Sequence, residues 1–158
     1  MTLPLVAAAP PRLWCSFLLG NECFAVAAAA VVEVLRSRRL TRVPVAARGV
    51  LGLVHLRGQI VPVIDPAEPL AVSRRQTGPS GPTLVITAGD EWYGLLVDDM
   101  LDVVEIPPER VEHPTGGSAL VLGTFAAADR LVHLLDPERM IHSLTGQRPA
   151  TGSRPGGA

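Results

Sequence analysis

The stretch Gly52 to Leu70 reads G-L-V-H-L-R-G-Q-I-V-P-V-I-D-P-A-E-P-L, and its reading decides the fold. Two apolar runs, Leu53 to Leu56 and Ile60 to Ile64, flank Arg57-Gly58. Each run is strand-length and rich in Val, Ile and Leu, so the pattern predicts a hairpin. Gly58 supplies the positive φ that a tight turn often needs, which leaves the Arg57 guanidinium free at the tip. Asp65-Pro66-Ala67-Glu68 follows. Asp suits an N-cap, Pro the first helical position, and Glu three residues on completes a capping box, so a helical turn is expected there.

Working outward, Gly20-Asn21 reads as a two-residue turn between Leu13–Leu19 and a returning strand. That register pairs Leu18 with Cys23 and Cys15 with Val26. Cross-strand partners share a face and alternate residues switch faces, so Cys15 and Cys23 point apart and no disulfide is expected. Leu13, Cys15, Phe17 and Leu19 are expected on one core face with Phe24 and Val26. In the second half, Thr83–Thr87 and Trp92–Val97 flank a Gly89-Asp90 turn. Leu120–Ala126 and Leu131–Leu135 flank Ala128-Asp129-Arg130, and Asp136-Pro137-Glu138 opens a short helix over 137–144.

The halves echo each other. Gly20-Asn21-Glu22 matches Gly89-Asp90-Glu91, and Val31-Val32-Glu33-Val34 matches Val103-Val104-Glu105-Ile106. Gly52 to Leu70 matches Gly123 to Ile141. The offset stays at about 70 residues, which indicates one supersecondary unit used twice. A unit of about five short strands hides its edges by closing into a barrel. The fold class expected is therefore all-β: two small five-stranded antiparallel barrels packed together, with short helical turns and a C-terminal helix.

The stretch H-L-R-G-Q-I-V-P-V-I-D resembles the signature of the CheW-like domain, the adaptor of bacterial chemosensory arrays. That family shows N-L-R-G, a mostly apolar strand and then Asp; His55 departs from its usual Asn. Val31-Val32-Glu33-Val34 and Tyr93-Gly94-Leu95-Leu96-Val97-Asp98 agree in order and spacing. The resemblance implies SH3-like barrels. It also implies two partners: the regulatory domain of a CheA-type histidine kinase, and the helical hairpin tip of a chemoreceptor lying in a groove between barrels. Carried over residue by residue, it implicates Val31, Glu33, Gly52, Arg57 and Gly94 in partner binding. Other roles stay open at each: loop ordering for Arg57, bulges or close backbone approach for Gly52 and Gly94, core packing for Val31. Over Ala27 to Leu35, composition fits a short helix; β-branched content and the resemblance favour a helical turn leading into a strand near Val31. Asp98 is given a structural role at the end of its strand.

The domain expected spans 12–145, with one subdomain at about 12–72, a second at about 83–136, and the helix at 137–144; the resemblance implies that the boundary is not cleanly sequential and that the C-terminal segment can return to the first barrel. Residues 1–11 and 146–158 read as disordered tails. The start carries no Lys or Arg ahead of its apolar residues, unlike a secretory signal. Residues 73–82 read as a loop. Arg36 to Arg42 reads as a solvated loop, with a basic rim facing an acidic partner as its functional reading.

The chemistry points to binding. The formal net charge is −1, without a basic block, which argues against phosphate-backbone binding. No uninterrupted apolar run approaches about 18 residues, so no membrane span is expected. His55, His113, His133 and His142 lack the spacing of a helical metal motif, and no nucleophile elbow, phosphate loop or dinucleotide fingerprint occurs. Asp98, Asp99, Asp102 and Glu105 lack the D-x-D-x-D-G pattern of a calcium loop and read as solvated or partner-facing. No catalytic residue, metal or cofactor is expected. The function expected is a cytoplasmic, non-enzymatic adaptor beside membrane receptor arrays. The alternative is a divergent scaffold of a pilus-motility or other non-flagellar chemosensory pathway; a third reading, a small-barrel ligand-binding domain or enzyme, requires a closed polar pocket with convergent titratable groups that the sequence does not supply.

Overall fold

Among the described residues ten strands and one α-helix form: β1 (Arg12–Leu19), β2 (Glu22–Ala27), β3 (Val31–Leu35), β4 (Val50–Leu56), β5 (Gln59–Ile64), β6 (Thr83–Ala88), β7 (Glu91–Leu96), β8 (Asp99–Ile106), β9 (Val121–Ala127), β10 (Arg130–Leu135) and α1 (Pro137–Thr145). The computed structural model describes residues 12–36, 40–41, 49–74 and 81–145. The expected tails, most of the arginine-rich stretch and residues 75–80 of the expected loop lie outside these.

The β1–β2 hairpin turns at Gly20, whose φ is +62°, and pairs Leu18 with Cys23 and Cys15 with Val26 as expected. Both cysteines are free. Burial pushes both thiols above their ordinary pKa, and the reactive thiolate becomes correspondingly scarce at neutral pH. Maleimide labelling at pH 7 should therefore leave Cys23 unmodified in the native protein and modify both cysteines after denaturation. Rapid native labelling of Cys23 would contradict its placement inside the sheet.

Ala28–Ala30 form one 3-10 turn and β3 starts at Val31, the turn-then-strand arrangement expected. After β5 the expected helical turn does not extend into a helix. Asp65 Oδ1 accepts from the Ala67 amide at 2.9 Å, but only turns follow. Pro69 has no N–H to give, and Ala71 takes a left-handed φ of +56°.

The strands form two five-stranded sheets, ordered β8-β1-β2-β10-β9 and β3-β6-β7-β5-β4. We call the first the terminal barrel and the second the central barrel. Two expectations need correction. The sheets are not wholly antiparallel: β2 runs parallel to β10, and β5 parallel to β7. Nor do they divide near residues 72–83. Each sheet takes its first hairpin from one repeat and its remaining three strands from the other, so the repeats exchange strands within one chain. Local pattern specifies a strand but not the sheet that receives it, which is why the division was misplaced.

The duplication reaches fine detail. The isolated bridge Thr41–Leu53 in the first half recurs as Glu112–Thr124 in the second. Each brings the chain leaving an edge strand against the opposite edge strand, which closes the barrel and removes a free edge. Gly52 and Gly123 permit these approaches: a Cβ on either would lie 2.9 Å from the carbonyl oxygen of Thr41 or Glu112.

Three apolar clusters follow. Leu35, Val54, Leu56, Val61, Val63, Val85 and Leu96 fill the central barrel. Trp14, Cys23, Ala25, Ile106, Phe125, Val132 and Leu134 fill the terminal barrel. Phe17, Leu19, Phe24 and Val26 of the terminal barrel meet Ile64, Leu84, Ile86 and Leu95 of the central barrel, with Met140, Ile141 and Leu144 of α1 completing the layer between barrels. Strand β1 is thus covered on both faces. Leu13, expected in the core, instead lies at the open end of β1 opposite Glu105 and is 53% exposed.

Candidate functional site

The β4–β5 hairpin turns through Arg57 (φ +50°) and Gly58 (φ +80°). Two successive left-handed residues make the tight hairpin turn whose twist matches the flanking strands. The turn projects from one edge of the central sheet, while β3 forms the other edge. Closure of the barrel brings the edges together, and Arg57 Nη2 donates to Glu33 Oε1 at 2.9 Å. The guanidinium is therefore not free, as the sequence suggested; it is clasped to a residue 24 positions away.

The side chains of Arg57 and Glu33 are 60% and 35% exposed. Ion pairs in such surroundings contribute about 0–1 kcal/mol to stability. The clasp therefore presents an ordered pair of opposite charges to solvent. Beside it, Ile60 is 59% exposed and pairs across the hairpin with His55. The matching hairpin of the terminal barrel has exposed Leu122 and Leu131, and its Arg130 lies 3.6 Å from the adjacent Asp129.

The five sequence-derived positions thus separate. Glu33 and Arg57 touch. Val31 lies on the same strand, half-buried against the layer between barrels. Gly52 is buried where the chain at Thr41 crosses β4. Gly94 is buried between β6 and β5, and a Cβ there would lie 2.7 Å from Thr83 Cγ2 and 3.0 Å from Val63 Cγ2. These two glycines serve packing and present no side chain.

An open groove of about 340 Å³ lies where the barrels meet, floored by Ala27, Ala29 and Ala30. Its walls include Thr87 and Gly89 of the β6–β7 turn and Glu138 of α1. Glu138 Oε1 accepts from the Gly89 amide at 3.0 Å across one edge. Close by in sequence, Tyr93 has its hydroxyl pushed up to about 12 by burial and by its hydrogen bond to Glu91, so it stays a neutral donor.

The acidic cluster separates as well. Asp99, Asp102 and Glu105 are exposed along β8, whereas the Asp98 side chain is 7% exposed and paired with Arg74 at 2.8 Å. Among the described residues no group of three or more His, Cys, Asp or Glu could hold a metal ion. Sequence reasoning missed Arg74 altogether. It sits in a polar run, S-R-R-Q-T, with no pattern that marks one arginine for burial.

Two closed barrels carrying an exposed charged clasp on one and an open groove between them define a two-barrel scaffold of the SH3-like kind. The CheW-like domain model matches residues 14–145, and the chain belongs to that family. It is 30% identical over 137 residues to the chemotaxis protein CheW of Klebsiella aerogenes, covering 80% of each chain. It is 27% identical to protein FrzA of Myxococcus xanthus, covering 86% of this chain and 89% of that one. The crystal structure of scaffolding protein TtCheW from Thermoanaerobacter tengcongensis superposes with a TM-score of 0.75 at 23% identity, over 82% of this chain and 92% of that chain, and shares the fold.

Proposed function

We propose that this protein is a non-enzymatic adaptor that couples chemoreceptors to a CheA-type histidine kinase at the cytoplasmic face of receptor arrays. The observation that carries the reading is the Glu33–Arg57 clasp: an ordered, exposed ion pair next to exposed Ile60, at the two positions the family resemblance implicates. An arginine at such a tip can exchange or share its carboxylate with a partner through charge-assisted hydrogen bonds. Val31, Gly52 and Gly94 support the same surface from beneath, by shaping β3, β4 and the sheet behind them. The receptor tip takes the groove between barrels, and the kinase domain meets the clasped barrel.

A second reading keeps the fold and changes the pathway to a pilus-motility or other chemosensory output. The similarity to FrzA, over most of both chains, supports holding it. Neighbouring genes would separate the two.

Arg57→Glu tests the adaptor reading. The pair is exposed, so thermal stability should change little. Affinity for a purified kinase regulatory domain should fall about tenfold or more, as charge reversal at an interface anchor does. Unchanged affinity for both kinase and receptor, in a folded variant, would remove Arg57 from the interface.

A further inference from the structure

After β5 the chain runs against the β1–β2 turn of the terminal barrel before it enters β6 of the central one. Leu70 and Val72 pack on the layer between barrels. The Val72 amide donates to Ala67 O at 2.9 Å, and Ala71 holds a left-handed conformation that a residue with a Cβ adopts only when its surroundings impose it. The carbonyl oxygen of Ser73 then rests on Gly20 so closely that a Cβ there would overlap it.

Arg74 ends this strap inside the structure, 13% exposed. Its Nε donates to Asp65 Oδ1 at 2.9 Å, its Nη1 to Asp98 Oδ1 at 2.8 Å, and its Nη2 to the carbonyl of Leu96. Asp65 directly follows β5 and Leu96 ends β7 of the central barrel. Asp98 stands where the chain changes barrels: the Val97 amide donates to Pro82 O, while the Asp98 amide donates to Leu18 O of the terminal barrel. Asp98 Oδ2 also accepts from the Gly20 amide at 2.6 Å. One guanidinium thus joins two strand ends of one barrel to the hairpin turn of the other, and its donors meet two carboxylates and a carbonyl, as a buried charge requires.

The groove lies at the opposite end of the same strands. Strand β2 begins beside Gly20 and ends at Ala27; β7 begins beside Gly89 and ends at Leu96. At the groove the corresponding turn amide, that of Gly89, donates to the exposed carboxylate of Glu138. The barrels are therefore joined at one end by a buried charge cluster, and at the other by the apolar packing of α1, a long Thr87–Ala30 hydrogen bond of 3.4 Å and the solvated Gly89–Glu138 bond.

We propose that the Leu70–Arg74 strap is the device that fixes the angle between the barrels, with Arg74 its positioning residue. The groove is the end that yields when a helical partner enters. The partner rests on the adaptor reading above; the pinning of the barrels does not.

The test measures barrel orientation and binding separately. Residual dipolar couplings are collected on the parent, on Arg74→Gln, and on Arg74→Gln combined with Asp98→Asn. The double variant removes a buried, uncompensated carboxylate and decides the matter if the single one fails to fold. One alignment tensor should fit both barrels in the parent, and two different tensors should be needed in the variant. Affinity for a helical-hairpin receptor fragment spanning the barrels should fall about tenfold, while affinity for the kinase regulatory domain, which meets one barrel alone, should change less than about threefold. A single tensor in the folded variant would overturn the proposal, and so would equal losses for both partners. If the parent binds neither partner, the adaptor reading fails and the tensors alone decide the strap.

Discussion

Asp98→Ala is expected to lower the unfolding free energy by about 3–5 kcal/mol, the cost of removing one partner of a buried ion pair. The change strips Arg74 of one of its two carboxylates and leaves the Gly20 amide without its acceptor. Both remaining groups are held away from water, so neither recovers a solvent partner without opening the junction between barrels. A loss of this size is a large share of the stability of an ordinary domain. The neighbouring Asp99 provides the control. It is exposed, and its carboxylate accepts from the adjacent Met100 amide, at 2.9 Å. Asp99→Ala should shift stability by no more than about 0.5 kcal/mol. Urea denaturation of the two variants checks this, and coincident midpoints would mean that the Arg74 cluster contributes nothing net.

The contrast between these neighbouring aspartates marks where the sequence stops being legible. Strand pattern and turn chemistry are local, and so the hairpins at Gly20 and Gly58, the 3-10 turn before Val31 and the helix after Asp136 all follow from them. The repeat was legible because Gly20 and Gly89, or Gly52 and Gly123, answer to the same backbone needs in the same order. The exchange of strands between repeats was not. It depends on which sheet receives β3 and β8, and a five-residue run such as V-V-E-V-L is equally suited to either. Leu13 failed for a related reason: a strand buried on both faces has no polar side to mark its end.

Glu33 and Arg57 stood out by resemblance as candidates, but their contact did not, because it arises only once the sheet closes and its edges meet. Arg74 shows the limit most plainly. Nothing distinguishes it from Arg75 in sequence; burial is assigned to it by the position of Asp65 and Asp98, residues separated from each other by an entire hairpin.

The duplicated glycine turns allow the strap to be tested by a matched pair. Gly20 and Gly89 have nearly the same backbone, φ +62° and +65°. An alanine at either must hold a left-handed conformation, at about 1–2 kcal/mol. At Gly89 that is the whole cost, because the nearest atom to an added Cβ is the flexible Glu138 Oε1, at 3.9 Å. At Gly20 the added methyl meets the backbone carbonyl of Ser73, and Val72 Cγ1 at 3.1 Å. Ser73 cannot retreat without drawing Arg74 from between Asp65 and Asp98. Gly20→Ala should therefore cost about 4 kcal/mol or more, a size that needs a specific structural cause. It should also raise amide exchange across residues 70–74 while leaving the β4–β5 hairpin protected. Thermal and urea denaturation of both variants, with exchange mapped by mass spectrometry, provide the comparison. Equal losses for Gly20→Ala and Gly89→Ala would show that the strap yields freely and that the barrels are held by their apolar layer alone. The unequal result would place the lock where the two repeats, alike in backbone, differ in what lies upon them.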